Sequence, residues 1–197
     1  MIRSILFVMR YRPEHKIETH EKIVKDASRR VRAEGLNGTA VAAVMRDAGL
    51  THGGFYKHFA SKDELLIESQ KEGFRDIIAS LVHASEQGPP REAWKAIVKA
   101  YLRPEMCERP EHGCPLATLG PELARVDKRM KPQILAELVN YKNRMVPFMP
   151  GRRMADKERA FFAIFSTTGA LEIARMLPDP VRGQVLGTAR DFLSRSF

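Results

Sequence analysis

The sequence predicts an all-α protein in which a small N-terminal three-helix domain is followed by a larger helical domain. Apolar residues recur at helical spacing in most segments between turn signals, which is typical of amphipathic helices. No segment shows the strict alternation of apolar and polar residues that is expected of a strand. Residues 17–58 also follow the order helix, turn, helix, tight turn, short helix, which is the order of a helix-turn-helix unit.

The first helix is predicted over residues 17–34. Ile23, Ala27 and Val31 recur every fourth residue, so they share one helical face and would form its buried side. Gly35 is expected to end this helix, because glycine readily adopts the left-handed conformation that follows a helix C-terminus.

Two short helices are predicted next. Thr39 is expected to cap a helix over residues 40–48, because a threonine oxygen can accept a hydrogen bond from the free N–H groups at a helix start. Gly49 should close this helix, and residues 51–58 should form the second short helix. These two helices complete the N-terminal domain.

The helices of the second domain are bounded by proline and glycine. Ser61 and Glu64 have the spacing of a capping box, and the helix that they start should run to about Gln87, before Gly88-Pro89-Pro90. A connector rich in Pro, Gly and Cys is expected between Glu105 and Pro121. Further helices are predicted over residues 91–103, 122–127, 131–147, 155–177 and 181–195.

These elements divide the chain into three predicted regions. Residues 1–16 are expected to form a flexible or basic N-terminal arm, residues 17–62 the helix-turn-helix domain, and residues 63–197 the second domain. The apolar opening, residues 1–8, is too short for a membrane-spanning helix, so no membrane partner is expected.

Composition favours a polyanionic partner and a reducing compartment. The formal net charge is +9, which favours binding to a polyanion. The cysteines, Cys107 and Cys114, are too few for a disulfide framework, and no signal peptide is evident, so a cytoplasmic protein is expected. The sequence has no Ser/His/Asp set, Gly-rich phosphate loop or metal-ligand spacing. We therefore expect no catalytic activity, no metal and no cofactor.

Residues 49–62 concentrate the side chains that bind phosphate groups. They include Thr51, His52, Tyr56, Lys57, His58 and Lys62. Half or more of the hydrogen bonds between proteins and DNA go to the sugar-phosphate backbone, through side chains of these types. Because the last helix of a helix-turn-helix unit enters the major groove, these residues indicate double-stranded DNA as the partner.

About a quarter of the chain, residues 17–68, resembles the N-terminal domain of the TetR family of bacterial transcriptional repressors. The resemblance is specific because many positions agree in order and at fixed spacing. They are Ile23-Val24, Ala27, Val31, Gly35, Thr39-Ala40-Val41, Ala48-Gly49-Leu50-Thr51, Gly53, Phe55-Tyr56, His58-Phe59, Ser61-Lys62 and Leu65-Leu66. It implies a homodimer that binds a pseudo-palindromic operator and is released by a small molecule bound in the second domain.

The resemblance also identifies candidate DNA-binding residues. They are Thr39, Ala40, Thr51, His52, Gly53, Gly54, Tyr56, Lys57, His58 and Lys62. Tyr56 would pack against the small domain and donate its hydroxyl to a phosphate, and His58 would bind more tightly when protonated. Gly54 departs from the family, which usually has a hydroxyl residue there, and the alternative is that both glycines only form a tight turn. Arg10, Arg12 and Lys16 are either a DNA-binding arm or a solvated tail.

TetR-like proteins dimerise through their last two long helices, so the dimer interface is expected in residues 155–177 and 181–195. The candidate interface residues are Phe161, Thr168, Gly169, Glu172, Val185, Ala189, Phe192 and Leu193. The helix over residues 155–177 has apolar side chains on two faces, which requires burial on two sides. The alternative is that these residues belong to the core of a single chain.

A ligand site is expected between these last helices and those predicted over residues 91–103 and 131–147. Candidate ligand-binding residues are Trp94, Tyr101, Met106, Cys114, Leu119, Met145, Phe148, Phe162 and Phe165. Because pockets are mostly apolar with a few polar groups, the expected inducer is a small apolar or aromatic molecule. Each residue taken alone could equally be ordinary core.

Gly113-Cys114-Pro115-Leu116 resembles a motif found in a subgroup of TetR-like regulators, in some of which the cysteine senses oxidants or electrophiles. Cys114 precedes a predicted helix start, where the helix field lowers a thiol pKa, and His112 and Arg109 could contribute. Cys107 could then act as a resolving thiol. The alternative is an inert, buried cysteine.

The sequence therefore predicts a cytoplasmic, homodimeric, ligand-responsive TetR-like repressor. One alternative is a regulator of the same type that senses oxidants or electrophiles through Cys114. Another is a protein that binds DNA without sequence preference. The identity of the inducer, the operator and the regulated genes stays open, as does activation in place of repression.

Overall fold

The chain folds into α-helices joined by short turns. The computed structural model describes residues 13–149 and 156–195, so the predicted N-terminal arm lies outside the described residues except for its last four positions. The α-helices are α1 (Pro13–Gly38), α2 (Val41–Asp47), α3 (Lys62–Ser85), α4 (Ala93–Tyr101), α5 (Glu105–Glu108), α6 (Pro115–Leu123), α7 (Lys131–Met145), α8 (Asp156–Arg175) and α9 (Val181–Arg195). Short 3₁₀ helices cover His52–Lys57, Pro90–Glu92, Pro110–His112 and Val146–Phe148. The predicted all-α class is confirmed, since the described residues include no strand.

The predicted connector contains more helix than expected. Helix α5 and most of α6 lie within residues 105–121, and the helix predicted over 122–127 instead starts at Pro115. Proline is favourable in the first turn of a helix, where its fixed φ fits and its missing N–H has no intrahelical role. Pro115, which indicated a loop in the sequence, is instead the first residue of α6. Pro121 lies inside the same helix and leaves one carbonyl without its usual donor.

The first core cluster holds the N-terminal domain together. Its buried residues come from α1, α2, the 3₁₀ helix over His52–Lys57 and the start of α3, and they include Ile23, Val44, Met45, Phe55 and Phe59. The spacing of Ile23, Ala27 and Val31 correctly predicted the buried face of α1.

Helix α3 joins the two halves of the molecule. Leu65 near its start belongs to the N-terminal cluster, whereas Phe74 and Ile77 belong to a large cluster shared with α4, α6, α7, α8 and α9. A third cluster lies at the junction, where Val31 and Leu36 of α1 meet Leu119 and Leu123 of α6. Because α1 packs on both α3 and α6, movement of α6 must be accommodated by the N-terminal domain.

Gly35 interrupts α1 near its end. Its φ of 82° and ψ of 167° are not helical, so residues 36–38 form a separate short turn before α2. This left-handed φ strains any residue with a β-carbon, which explains the glycine.

Candidate nucleic-acid interface, dimer face and ligand space

Two polar contacts from α1 fix the C-terminal end of α2. Lys22 donates from Nζ to the carbonyl oxygen of Ala48 at 2.9 Å. Arg30 forms an ion pair with Asp47 at 2.5 Å. Gly49, with φ of 78°, follows directly and makes the tight turn. These contacts fix the direction in which the chain leaves α2.

The 3₁₀ helix over His52–Lys57, which we call the recognition segment, takes the place of the predicted α-helix over residues 51–58. Its hydrogen bonds include Gly54 N–H to the oxygen of Thr51 at 3.0 Å, three residues back. Two adjacent glycines weaken α-helix propensity, and 3₁₀ geometry is common in such short pieces. Phe55 and Phe59 anchor the segment, since both are buried and their rings stack at 5.4 Å between centroids.

The opposite side of the recognition segment is open to solvent. Thr51, His52, Gly53, Tyr56 and Lys57 are all exposed. Tyr56 is 73% exposed, and its ring makes an edge contact with the ring of Phe55 at 5.3 Å between centroids. Tyr56 thus packs against the small domain through this contact with the buried Phe55, and it is not a core residue. Its hydroxyl projects with the other exposed polar groups.

The fold itself does not require glycine at positions 53 and 54. Among the described glycines, a positive φ occurs at Gly35 and Gly49 but not at Gly53 or Gly54. A methyl group at Gly53 would meet no atom within 4 Å, and one at Gly54 would touch Met45 Cε at an ordinary 3.6 Å. The alternative of a tight turn that needs glycine is therefore wrong. The missing side chain at Gly53, which is exposed, instead lowers the outer surface of the segment.

Thr39 does not cap α2, which contradicts its predicted role. The N-cap is Ala40, without a side-chain hydrogen bond. Thr39 is 1% exposed, and its Oγ1 donates to the oxygen of Gly35 at 2.8 Å. The break in α1 at Gly35 leaves this carbonyl without a helical donor, and Thr39 supplies one. A phosphate contact from the Thr39 side chain is excluded by its burial, whereas Ala40 is exposed.

His58 is half-buried between α1 and the recognition segment. Its ring centroid lies 6.0 Å from that of His20, and His20 Nε2 lies 2.7 Å from Glu68 Oε2. Burial lowers the pKa of His58, and the positive charges of His20, Lys16 and Lys57 lower it further. Protonation of His58 is therefore opposed in the free protein, and tighter binding by the protonated form stays a prediction.

Lys62 stays a predicted phosphate contact. It is half-buried in the first turn of α3. Ser61 caps this helix by accepting a hydrogen bond from the N–H of Glu64 at 3.2 Å, as the capping-box pattern predicted.

Helices α8 and α9 share an exposed apolar face. Phe162, Phe165 and Ile173 of α8, and Met176 directly after it, are about half exposed or more, and Phe192 of α9 is 61% exposed. A groove of about 560 Å³ runs between the two helices and is lined by Ala170, Ile173, Val181, Val185, Ala189 and Phe192, among others. Gly169 lies on this face, where an added methyl group would meet no atom within 4 Å. Contiguous exposed apolar surface of this kind marks an interaction site.

The structure corrects several predicted interface residues. Leu193 is buried in its own chain, where its carbonyl accepts a hydrogen bond from Trp94 Nε1 at 3.0 Å. Thr168 points inward, with its Oγ1 3.2 Å from the hydroxyl of Tyr101. Glu172 turns toward α6, where its Oε1 lies 2.9 Å from the position of a methyl group at Gly120. Phe161 is half-buried under Lys142, whose Nζ lies 4.8 Å from the ring centroid.

Three of the predicted ligand residues line the space between α4, α7 and α8. Trp94, Tyr101 and Met145 surround it together with Tyr141 and Ile164. The cavity that they enclose measures only about 10 Å³, which is room for one water molecule at most. The lining residues, all within the described part of the chain, include no charged side chain.

The remaining predicted ligand residues lie elsewhere. Met106 and Cys114 are buried in the same large cluster, and Phe148 packs against it. Leu119 belongs to the junction cluster, so its assignment to the ligand space is wrong. Phe162 and Phe165 are exposed on the outer face of α8, which contradicts the same assignment for them. Helical spacing alone did not distinguish these two faces of α8.

Cys114 is not a reactive thiol in this fold. It is fully buried, and burial raises its pKa by more than the hydrogen bonds from Tyr101 and the first turn of α6 lower it. Burial also raises the pKa of Cys107. Arg109 and His112 hydrogen-bond to each other at 2.9 Å. The structure therefore does not support the alternative of an activated cysteine that senses oxidants or electrophiles, and it favours the alternative of a buried cysteine.

The described part of the chain has neither a metal-binding cluster nor a membrane-spanning helix. Residues 13–149 and 156–195 contain no group of three or more His, Cys, Asp or Glu side chains placed to hold a metal ion. No helix in this part of the chain is long and apolar enough to cross a membrane.

An exposed polar segment carried by a helix-turn-helix unit, next to a helical C-terminal domain, defines a protein of the helix-turn-helix class. Residues 23–68 match the family model described as bacterial regulatory proteins, tetR family. The N-terminal domain of this chain is thus similar to the corresponding domain of that family.

One relative supports this assignment over part of its length. The chain is 29% identical to the HTH-type transcriptional regulator LmrA of Bacillus subtilis (strain 168) over 109 residues, which are 53% of this chain and 57% of LmrA. The match thus spans little more than half of LmrA.

Solved structures extend the likeness to nearly the whole chain. A TetR transcriptional regulator from Chloroflexus aurantiacus J-10-fl has a TM-score of 0.74 and 21% identity, covering 92% of this chain and 94% of that one. The regulator FadR from Bacillus subtilis, solved with stearoyl-CoA, has a TM-score of 0.68 and 13% identity, covering 90% of this chain and 99% of its own. At such identities the likeness establishes the fold, which is that of TetR-family regulators.

Proposed function

We propose that this protein is a cytoplasmic transcriptional repressor that binds a pseudo-palindromic operator as a homodimer and is released by a small apolar inducer. The observation that carries the proposal is the recognition segment. Its buried phenylalanines fix it to the domain, and its exposed side carries Thr51, His52, Tyr56 and Lys57 around two glycines that the fold does not need. Such a surface can approach the floor of the major groove and contact phosphates on either side.

Dimer formation is proposed through the apolar face of α8 and α9. A second copy of the chain would cover Phe162, Phe165, Ile173, Met176 and Phe192, which otherwise stay in water. A two-fold interface uses the same patch on both subunits, so one self-complementary face is sufficient. Two recognition segments would then meet successive major grooves of one operator.

The inducer is proposed to be uncharged over the part that enters the space between α4, α7 and α8. The aromatic and methionine lining of that space provides no charged partner among the described residues. The cavity of about 10 Å³ represents a closed state, so binding requires α7 or α8 to move. FadR was solved with stearoyl-CoA, a ligand with a long apolar chain. An inducer releases DNA only to the extent that it binds the conformation with low operator affinity more tightly than the conformation that binds the operator.

Fluorescence anisotropy tests the DNA-binding role. The full-length protein is titrated against a duplex from upstream of its own gene and against a shuffled duplex of equal composition, over a range of salt concentrations. We expect a preference of about 10³-fold or more for the natural duplex and a steep loss of affinity with salt. Equal, salt-sensitive binding to both duplexes would favour the alternative of non-specific DNA binding. No binding to either duplex would contradict both.

A regulatory rather than a catalytic role agrees with the named relatives, which are transcriptional regulators. Incubation of the protein with apolar and aromatic compounds, with operator release as the readout, then screens for the inducer. Release that depends on thiol-reactive compounds alone would contradict the proposed inducer site.

A further inference from the structure

Helix α6 forms polar contacts with both halves of the molecule. At one end, Glu122 reaches the turn between α1 and α2. Its Oε2 accepts a hydrogen bond from the N–H of Leu36 at 2.8 Å and a longer one from the N–H of Asn37 at 3.4 Å. A carboxylate that accepts backbone N–H groups forms stronger hydrogen bonds than a neutral acceptor does.

Gly35 provides the space for this carboxylate. A methyl group at Gly35 would lie 2.6 Å from Glu122 Oε1, which is too close for any side chain. The same residue has the left-handed φ of 82° that breaks α1. The break turns the next two N–H groups away from α1 and toward α6. Glu122 therefore fits a site that the N-terminal domain forms only in this conformation.

At the other end, Arg175 of α8 holds the segment from α5 to α6. Its Nη2 donates to the oxygen of Met106 at 2.7 Å, and its Nη1 donates to the oxygen of Ala117. In a regular helix these two carbonyls would accept from residues 110 and 121. Both of those residues are prolines, Pro110 and Pro121, and have no N–H. The guanidinium thus supplies both missing donors.

Arg32 of α1 reaches the same segment from the N-terminal side. Its buried side chain donates from Nε to the oxygen of Glu111 at 3.0 Å and pairs with Asp76 of α3 at 3.0 Å. One arginine from each half of the molecule therefore holds the stretch between α5 and α6. The junction cluster of apolar residues lies directly beneath α6.

We propose that α6 is a rigid strut between α8 and the N-terminal domain, and that Glu122 is the positioning residue through which it holds the α1–α2 turn. The turn leads directly into α2, which packs on the recognition segment. Glu122 thus sets the direction of the recognition segment from outside the DNA-binding domain. The DNA-binding part of this inference rests on the proposed function.

Amide hydrogen exchange of the full-length protein tests the Glu122 contact without any DNA. In Glu122→Ala we expect exchange at residues 36 and 37 to accelerate by about 10-fold or more, as for loss of a hydrogen bond to a charged group. In Glu122→Gln, whose amide oxygen can still accept, exchange should stay within about 3-fold of the unmodified protein. Glu137→Ala, a half-buried carboxylate on α7, is the matched control. Unchanged exchange in Glu122→Ala, or equal acceleration in Glu122→Gln, would overturn the positioning role.

A second pair of variants tests the strut. Arg175→Gln removes the two-carbonyl contact, and Arg144→Gln on α7 is its control. Because Arg175 touches neither residue 36 nor residue 37, faster exchange there in Arg175→Gln must pass through α6. Acceleration confined to residues 105–123 would overturn the strut. Unchanged exchange in α2 and α9 verifies that the variant is folded.

Anisotropy on the upstream duplex completes the test. Glu122→Ala should bind about 10-fold or more weakly than Glu122→Gln, with the dimer intact. Glu122→Ala could show the expected faster exchange and still bind DNA as tightly as the unmodified protein. Glu122 would then hold the α1–α2 turn without setting DNA affinity, and the DNA-binding part of the proposal would fail. If the unmodified protein itself shows no operator preference, the proposed function fails, and the exchange results alone decide the strut.

Discussion

The recognition segment and the α8–α9 face both expose large aromatic side chains, but on surfaces of opposite character. Tyr56 is 73% exposed beside Lys57, His52 and Thr51, whereas Phe192 is 61% exposed beside an apolar groove. The first aromatic ring carries a hydroxyl among polar groups and glycines. The second lies in a mostly apolar lining. Exposure by itself therefore does not indicate the kind of partner, whereas the surrounding chemistry distinguishes a surface suited to a polyanion from one suited to another apolar helix face.

The largest expected effect is loss of the dimer when a charge is placed on the apolar face. Phe192→Asp should raise the dimer dissociation constant by about 100-fold or more, because each subunit would bury an unpaired carboxylate. Sedimentation equilibrium measures the shift. Leu135→Asp is a matched control, since Leu135 is 58% exposed on α7, away from this face. If both variants stay dimeric, α8 and α9 are not the interface.

The opposite surface is tested by Tyr56→Ala. Operator affinity should fall by about 100-fold, because a hydrogen bond to a charged phosphate is worth roughly 1.5–3 kcal/mol and is lost in both subunits. The dimer and the thermal midpoint should change little, since Tyr56 is largely exposed. Tyr56→Phe keeps the ring and removes the hydroxyl, so it should lose most of the same affinity. Full affinity in Tyr56→Phe would assign the effect to the ring instead.

Regular helical spacing determined which parts of the structure the sequence could predict. Long periodic helices such as α7, α8 and α9 were placed within a few residues, because their buried faces repeat at regular spacing. Thr39 was misplaced because its partner, the carbonyl of Gly35, is freed only by the kink in α1.

Errors in the C-terminal half have a different cause. Phe162 and Phe165 were assigned to the interior, and Leu193 to the interface. Apolar character predicts that a side chain is buried, but it does not show whether the same chain or a partner covers it. Cys114 was expected to be reactive from its place before a helix, but tertiary burial raises its pKa by more than the helix start lowers it. The contacts of Arg175 and Glu122 join distant segments, and no local pattern predicts them.

A smaller and opposite pair of effects is expected at Gly53. Gly53→Ala should stabilise each chain by about 0.5–1 kcal/mol in urea unfolding, because alanine favours helical backbone and the added methyl group meets no atom within 4 Å. Operator affinity should nevertheless fall by about 10-fold, since Gly53 is exposed on the side of the segment that is proposed to face DNA, and a methyl group there would hold the segment away from it. Gly183→Ala on α9, where a methyl group meets no atom within 4 Å, should stabilise without loss of affinity. Unchanged affinity in Gly53→Ala would remove the close-approach argument.

The smallest expected effect concerns acid pH and compares one histidine in each half of the molecule. Burial lowers the pKa of His58 below its ordinary value, with help from His20, Lys16 and Lys57, and burial with Arg109 lowers the pKa of His112. The unfolded chain therefore binds more protons than the folded one just below pH ~6.5, and stability must fall as pH decreases through that range. His58→Asn should make the free energy of unfolding less steep with pH between about 7 and about 5. His112→Asn should do so less, because the His112 side chain is 43% exposed. Urea unfolding at several pH values measures both slopes. An unchanged slope in His58→Asn would mean that water or Glu68 compensates the buried charge, and a larger effect at His112 would reverse the ranking of the two regions.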